Sequence, residues 1–147
     1  MLYECGVRYE RTMENGMTKK VTELYLVDAL SFAEAEGRIT NEMEPYISGD
    51  FDVVTIKRTN ISEIVEGLST ADKWFKAKLM YITIDEKTGK EKKQAVHFIV
   101  RASDINNAHI CVVEHMKGSV MDYEIATLDE TKIMDLFRYK VNTSDNG

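Results

Sequence analysis

The side chains best suited to chemistry are two cysteines and three histidines, and one pair among them stands at a spacing that could place both on one side of a helix. Cys111 and His115 lie four residues apart, so both could contact a single metal ion. Two ligands do not complete a metal site, and His109 falls on a different face of the same helix. An ordinary surface pair is therefore the favoured interpretation, and we predict no metal and no cofactor.

Cys5 is the other candidate, because a thiolate beside a histidine could act as a nucleophile. It alternates with Tyr3 and Val7 along a predicted strand, which makes it a small residue on the inward face. The sequence contains no Gly-x-Ser-x-Gly, no phosphate-binding glycine-rich loop and no His-Glu-x-x-His. We therefore predict no catalytic residues, and a protein that is not an enzyme.

A basic and aromatic strand face gives the candidate binding surface. Trp74, Lys76 and Lys78 alternate along one strand, and the hairpin that follows carries four more lysines: Lys87, Lys90, Lys92 and Lys93. Some sheets hold single-stranded nucleic acid with this combination of stacking ring and cations. The favoured alternative is a soluble hairpin whose lysines protect a strand edge, since the matching positions in the first half do not form a basic face: Leu2, Glu4, Gly6 and Arg8.

The elements that carry these residues occur twice, about 72 residues apart. Alternating apolar residues over 3–9 and again over 75–81 predict two strands, each followed by a hairpin turn containing Gly16 or Gly89. Two amphipathic helices follow, capped by Ser31 with Glu34 and by Asp104. Their apolar stripes have identical spacing: Phe32, Ala35, Ile39 and Met43, then Ile105, Ala108, Val112 and Met116.

The repeat predicts an α+β protein made by tandem duplication of a β-β-α-β(β) unit. The first repeat spans 1–67, a connector 68–73, the second repeat 74–138, and a polar tail 139–147. One unit of this size would have only a marginal core alone, because a small domain buries little surface. We therefore expect two helices packed on antiparallel sheet in one pseudo-twofold domain with a shared core, and keep two lightly touching domains as the alternative.

Composition and charge narrow the possible partners. The net charge of −6 falls in residues 1–67, which hold 13 acidic and seven basic side chains, whereas residues 68–147 hold 12 of each. An acidic first half would repel a phosphate backbone. The apolar runs of the sequence are too short to span a bilayer, and its first residues lack the pattern of a secretory signal. Two cysteines agree with a reducing compartment. We therefore expect a cytoplasmic protein without membrane contact.

The pattern resembles a family known as domain of unknown function 4494, found in Bacteroidetes bacteria and in phages that infect them. The likeness covers nearly the whole chain up to the polar tail and rests on YLVDALSFAEAE (25–36), MEPYISG (43–49), WFK (74–76), ITIDEKTGKEK (82–92), MKG (116–118) and DYEI (122–125). The resemblance implies no activity and no site residues. Its phage members imply an accessory role in phage or mobile-element biology.

Two function hypotheses follow. The first is a non-enzymatic cytoplasmic module that binds a protein partner or associates with itself, through strand edges that could pair with another chain. The second is a protein that binds single-stranded nucleic acid with the Trp74, Lys76 and Lys78 face and the lysines of the 87–93 hairpin.

Overall fold

The chain folds into eight strands and two helices, seen in a computed structural model that describes residues 1–67 and 70–139. In chain order these elements are β1 (Leu2–Thr12), β2 (Thr18–Asp28), α1 (Phe32–Met43), β3 (Phe51–Arg58), β4 (Ile61–Glu66), β5 (Lys73–Ile84), β6 (Glu91–Ala102), α2 (Ile105–Met116), β7 (Asp122–Glu130) and β8 (Ile133–Phe137). The α+β class predicted from the sequence is confirmed.

Two long antiparallel hairpins, β1–β2 and β5–β6, form the centre of the two sheets. The pairing of β1 with β2 runs without a break from Leu2 opposite Asp28 to Thr12 opposite Thr18. Both predicted turns are confirmed, because Gly16 and Gly89 adopt φ values of 82° and 68° that residues with a Cβ rarely reach. The hairpins are longer than the apolar alternation indicated, because pairing continues through exposed polar residues towards each turn.

Both helices begin at the predicted caps. Ser31 Oγ accepts a hydrogen bond from the amide of Glu34 at 3.1 Å, and Asp104 Oδ1 accepts one from the amide of Asn107 at 2.7 Å. These bonds satisfy amides that have no partner inside the helix. The reciprocal half of the predicted capping box does not form, since Glu34 Oε1 is buried without a hydrogen-bond partner.

The helix stripes bury three residues each and not the predicted four. Ala35, Ile39 and Met43 pack α1 against its sheet, and α2 buries the matching three residues: Ala108, Val112 and Met116. Phe32 and Ile105 were predicted on the same stripes but are 45% and 48% exposed. Both stand at the first residue of a helix.

The fourth strands give the sheets an order that the repeat did not indicate. β8 pairs in parallel with β2, giving the order β3-β1-β2-β8, while β4 pairs in parallel with β6, giving β7-β5-β6-β4. Both sheets are therefore mixed: three strands of each pair antiparallel, as expected, and the fourth strand adds a parallel pair. Parallel pairing places each fourth strand at a sheet edge beside the second strand of a hairpin.

Two compact units result from this pairing. Unit 1 comprises Met1–Thr59 and Ile133–Gly147, and unit 2 comprises Asn60–Lys132. Each has its own core between helix and sheet, and the fourth strand contributes Phe137 to the first and Val65 to the second. Unit 2 is continuous in sequence, with the order β4-β5-β6-α2-β7, whereas unit 1 is closed by a strand from the end of the chain.

The folded units and the predicted repeats therefore have different boundaries. The repeat at 1–67 ends with β4, which lies in the sheet of unit 2, and the repeat at 74–138 ends with β8, which lies in the sheet of unit 1. Within the predicted connector 68–73, residues 68 and 69 lie outside the described part, and so do residues 140–147 of the predicted tail. The duplication and the shared core stay predictions.

Candidate functional site

Trp74, the aromatic residue of the predicted binding surface, is buried. Its side chain is 3% exposed near the start of β5, and the guanidinium of Arg101 lies 5.8 Å from its ring centroid. Its backbone carbonyl accepts hydrogen bonds from both the amide and the hydroxyl of Thr131. The ring therefore offers no free face on which a nucleic-acid base could stack.

Lys76 and Lys78 lie on the sheet face that points away from α2. Lys78 stands directly opposite His97 of β6, and Lys76 is opposite Asp129 of β7. Burial lowers the pKa of His97, and the charges of Lys76 and Lys78 lower it further. His97 Nδ1 is buried without a hydrogen-bond partner. Burial and the two nearby cations thus both disfavour the protonated imidazole.

The hairpin lysines form a separate group. Lys76 is eight residues from Ile84 at the end of β5, which at about 3.3 Å per residue is roughly 26 Å. Two of the four hairpin lysines form ion pairs, Lys92 with Asp85 at 3.6 Å and Lys93 with Glu124 at 3.4 Å. The seven predicted residues are thus divided among a buried ring, a pair of lysines on the sheet face and a hairpin of mixed charge.

The cysteines and His115 serve local packing. His115 Nε2 lies 2.8 Å from Glu63 Oε2, joining α2 to β4, and Cys111 lies against Gly67 beyond the end of the same strand. Cys5 is fully buried. Its burial and, to a smaller extent, the negative charge of Glu4 raise the pKa of its thiol to about 11. This thiol is protonated at neutral pH and is a poor nucleophile. Among the described residues, no group of three or more His, Cys, Asp or Glu side chains could hold a metal ion.

Helix α2 has an outward face without charge over most of its length. Residues 105–113 contain no Asp, Glu, Lys or Arg, and Ile110 is 57% exposed. The corresponding stretch of α1 carries three charged side chains, Glu34, Glu36 and Arg38. Gly37 of α1 stands at the position that Ile110 occupies in α2. The sequence contains this signal, since the two helices match on their buried stripes and differ in charge on their outward faces.

A charged cleft of about 470 Å³ lies in unit 1 and was not anticipated from the sequence. It is lined by the outer part of β1, by Lys20 of β2, by the loop at 48–50 and by the first half of β3. Five of its side chains are charged: Arg8, Glu10, Lys20, Asp50 and Asp52. They come from three segments, at 8–10, 20 and 50–52, that the sheet pairing brings together, so no single local motif could have revealed them.

Neither helix in residues 1–67 and 70–139 is long and apolar enough to cross a membrane. No match was found among curated proteins or among solved structures. The family model described as Domain of unknown function (DUF4494) matches residues 1–139, which include every element of both units. The chain therefore belongs to the DUF4494 family, as the sequence resemblance indicated.

Proposed function

We propose that this protein is a non-enzymatic binding module that acts through protein–protein contacts, with the outward face of α2 as its contact surface. The observation that carries the proposal is the 57% exposure of Ile110 on a helix whose residues 105–113 carry no formal charge. The proposed site of action is the cytoplasm, and the family resemblance adds an accessory role in phage or mobile-element biology.

Ile110 is not required for the core of unit 2. Ala108, Val112 and Met116 already fill the space between α2 and the sheet, and Ile110 points to the opposite side of the helix. Isolated apolar residues are common on protein surfaces. Here Ile110 shares the outward face with Asn106 and His109, and the first two turns of that helix contain no Asp, Glu, Lys or Arg. Depletion of charge around an exposed apolar residue is typical of the centre of a protein interface.

The nucleic-acid hypothesis has weaker support. It needs an accessible aromatic ring beside the lysines, and Trp74 is buried beneath Arg101. It also needs cations free for phosphate, while Lys92 and Lys93 are already paired with carboxylates. Lys76 and Lys78 remain as a basic pair on the sheet face, and their Lys→Glu variants provide the direct check against labelled single strands at low salt.

The experiment for the proposed surface compares Ile110→Glu with Gly37→Glu. Both positions are exposed, and a Cβ added at Gly37 would meet no atom within 4 Å beyond its own helix backbone, so each variant adds one carboxylate to the outside of a helix. Self-association is measured by light scattering, and a partner is captured by chemical crosslinking in cells that produce the protein. We expect Ile110→Glu to abolish the association and Gly37→Glu to leave it intact. Equal behaviour of the two variants would contradict the proposal.

A further inference from the structure

The cleft in unit 1 contains opposite charges that face each other without pairing. Arg8 stands directly opposite Asp52 on β3, and Glu10 stands directly opposite Lys20 on β2. Side chains at such positions have Cβ atoms about 5 Å apart, close enough for an ion pair. In the described part of the chain none of these four side chains forms one. The cleft therefore holds two cations and two anions that are free to meet a ligand.

The charges at the same place in the sheet of unit 2 are paired. There Met80 of β5 stands opposite Glu124, and Ile82 stands opposite Lys93. Lys93 Nζ lies 3.4 Å from Glu124 Oε2, so the cation of one neighbouring strand and the carboxylate of the other compensate each other. The corresponding cation and carboxylate of unit 1, Lys20 and Asp52, do not form this ion pair. The unpaired charges therefore distinguish unit 1 from unit 2 and do not follow from the sheet geometry alone.

An irregularity in β3 shapes the floor of this cleft. The register between β1 and β3 shifts between Gly6 and Val7, which leaves Val54 without an opposite residue. Val54 and Thr55 then both lie beside Gly6, where an added Cβ would collide with Thr55 Oγ1 and would lie 3.6 Å from a Val54 methyl. Such bulges re-aim side chains and recur beside functional sites. Val54 thus adds an apolar side chain to the otherwise mostly charged and polar lining of the cleft.

We propose that this cleft binds a short zwitterionic peptide. Its volume of about 470 Å³ lies within the range of small-molecule sites, which is about 300–1,000 Å³. Arg8 and Lys20 would bind the terminal carboxylate, since a guanidinium offers paired donors to it. Asp50 and Asp52 would bind the terminal ammonium. A ligand that carries only a carboxylate binds more weakly than the zwitterion, because three carboxylates line the cleft against two cations.

Triglycine is the probe for this proposal, with N-acetyl-triglycine and triglycine amide as matched ligands that each lack one terminal charge. The full chain is labelled with ¹⁵N and titrated, and amide shifts are followed by NMR. We expect saturable shifts at residues 8–10 and 48–54 with triglycine, and affinity about tenfold lower for each blocked form, because each loses one charge-assisted contact.

Two variants and one control complete the test. Arg8→Met introduces the residue that unit 2 has at this position, and Asp50→Asn removes a carboxylate while keeping its shape. Each should weaken triglycine binding by about tenfold, while Lys93→Met in unit 2 should leave it unchanged. The proposal is overturned if triglycine causes no saturable shift in the cleft, if the amide form binds as tightly as triglycine, or if the Lys93 control has the same effect as Arg8→Met.

Discussion

A fragment of this chain should fold only if it contains β4 together with the other strands of unit 2. Two fragments of similar length test this prediction. A fragment of residues 60–132 contains all four strands of the unit 2 sheet, whereas a fragment of residues 74–138 follows the sequence repeat. The second fragment lacks β4 and carries β8, whose partner strand β2 is absent. We expect the first fragment to unfold cooperatively and the second to be largely unstructured.

The loss of β4 is large compared with the stability of so small a unit. β4 pairs with β6 from Ile61 to Glu66, and Val65 is buried in the core beneath α2. Each backbone hydrogen bond of this pairing contributes about 1 kcal/mol and the burial of Val65 roughly 2 kcal/mol, so the loss of β4 costs several kcal/mol. A domain of about 70 residues holds roughly 4–10 kcal/mol in total. The fragment without β4 therefore retains little or no net stability.

Urea unfolding followed by the fluorescence of Trp74, the one tryptophan of the chain, measures this difference in both fragments. The intact chain gives an independent measurement through amide hydrogen exchange. Val112→Ala and Ile39→Ala each truncate a fully buried residue at the matching position of α2 and α1. The first should accelerate exchange in β4 and the second in β8, since such truncations cost about 1–5 kcal/mol. A cooperative 74–138 fragment, or the reverse pattern of exchange, would refute the assignment of β4 to unit 2.

Three further predictions concern single positions. Gly67→Ala places a Cβ 2.5 Å from Cys111 Sγ and should lower the free energy of unfolding by about 1–3 kcal/mol. Adding Cys111→Ala to the same chain should recover most of this loss. If the two substitutions have simply additive effects on urea unfolding, the contact is refuted. Gly37→Ala, in an exposed helix interior where the added Cβ meets open space, should raise that free energy by about 0.5–1 kcal/mol, whereas a decrease would show a hidden constraint there. His97 has a pKa below its usual 6.5, so the folded protein binds fewer protons at this residue than the unfolded chain, and stability falls as pH drops through and below 6.5. His97→Leu should reduce this loss in urea midpoints measured at about pH 7.5 and pH 5, and an unchanged loss would assign it to other groups.

The local elements were predictable because their signals are contained in short stretches of sequence. Ser31 and Asp104 cap helices through hydrogen bonds to amides three residues later, so neighbouring residues suffice to predict them. Gly16 and Gly89 supply the positive φ of their turns in the same way. Phe32 shows the limit of this reasoning, since periodicity places it on the inward stripe but its position at the helix end leaves it half exposed.

The candidate sites were less predictable because they depend on pairing between distant strands. Alternation placed Trp74, Lys76 and Lys78 on one face, and the structure keeps the two lysines there. Alternation does not indicate what covers a face, so the burial of Trp74 could not be anticipated. Likewise Arg8 and Asp52 are opposite neighbours only because β1 pairs with β3 in one particular register.

The sequence by itself determined that two strand–strand–helix–strand patterns follow each other about 72 residues apart, because side-chain periodicity and turn chemistry act over a few residues. Only the tertiary structure determined which sheet the fourth strand of each pattern joins. A short strand such as β4, whose apolar residues are Ile61, Ile64 and Val65, fits the edge of any sheet with a complementary face, so its pattern does not identify its partner strand. Parallel pairing of β4 with β6 and of β8 with β2 makes unit 2 continuous and leaves unit 1 to be completed by the last strand.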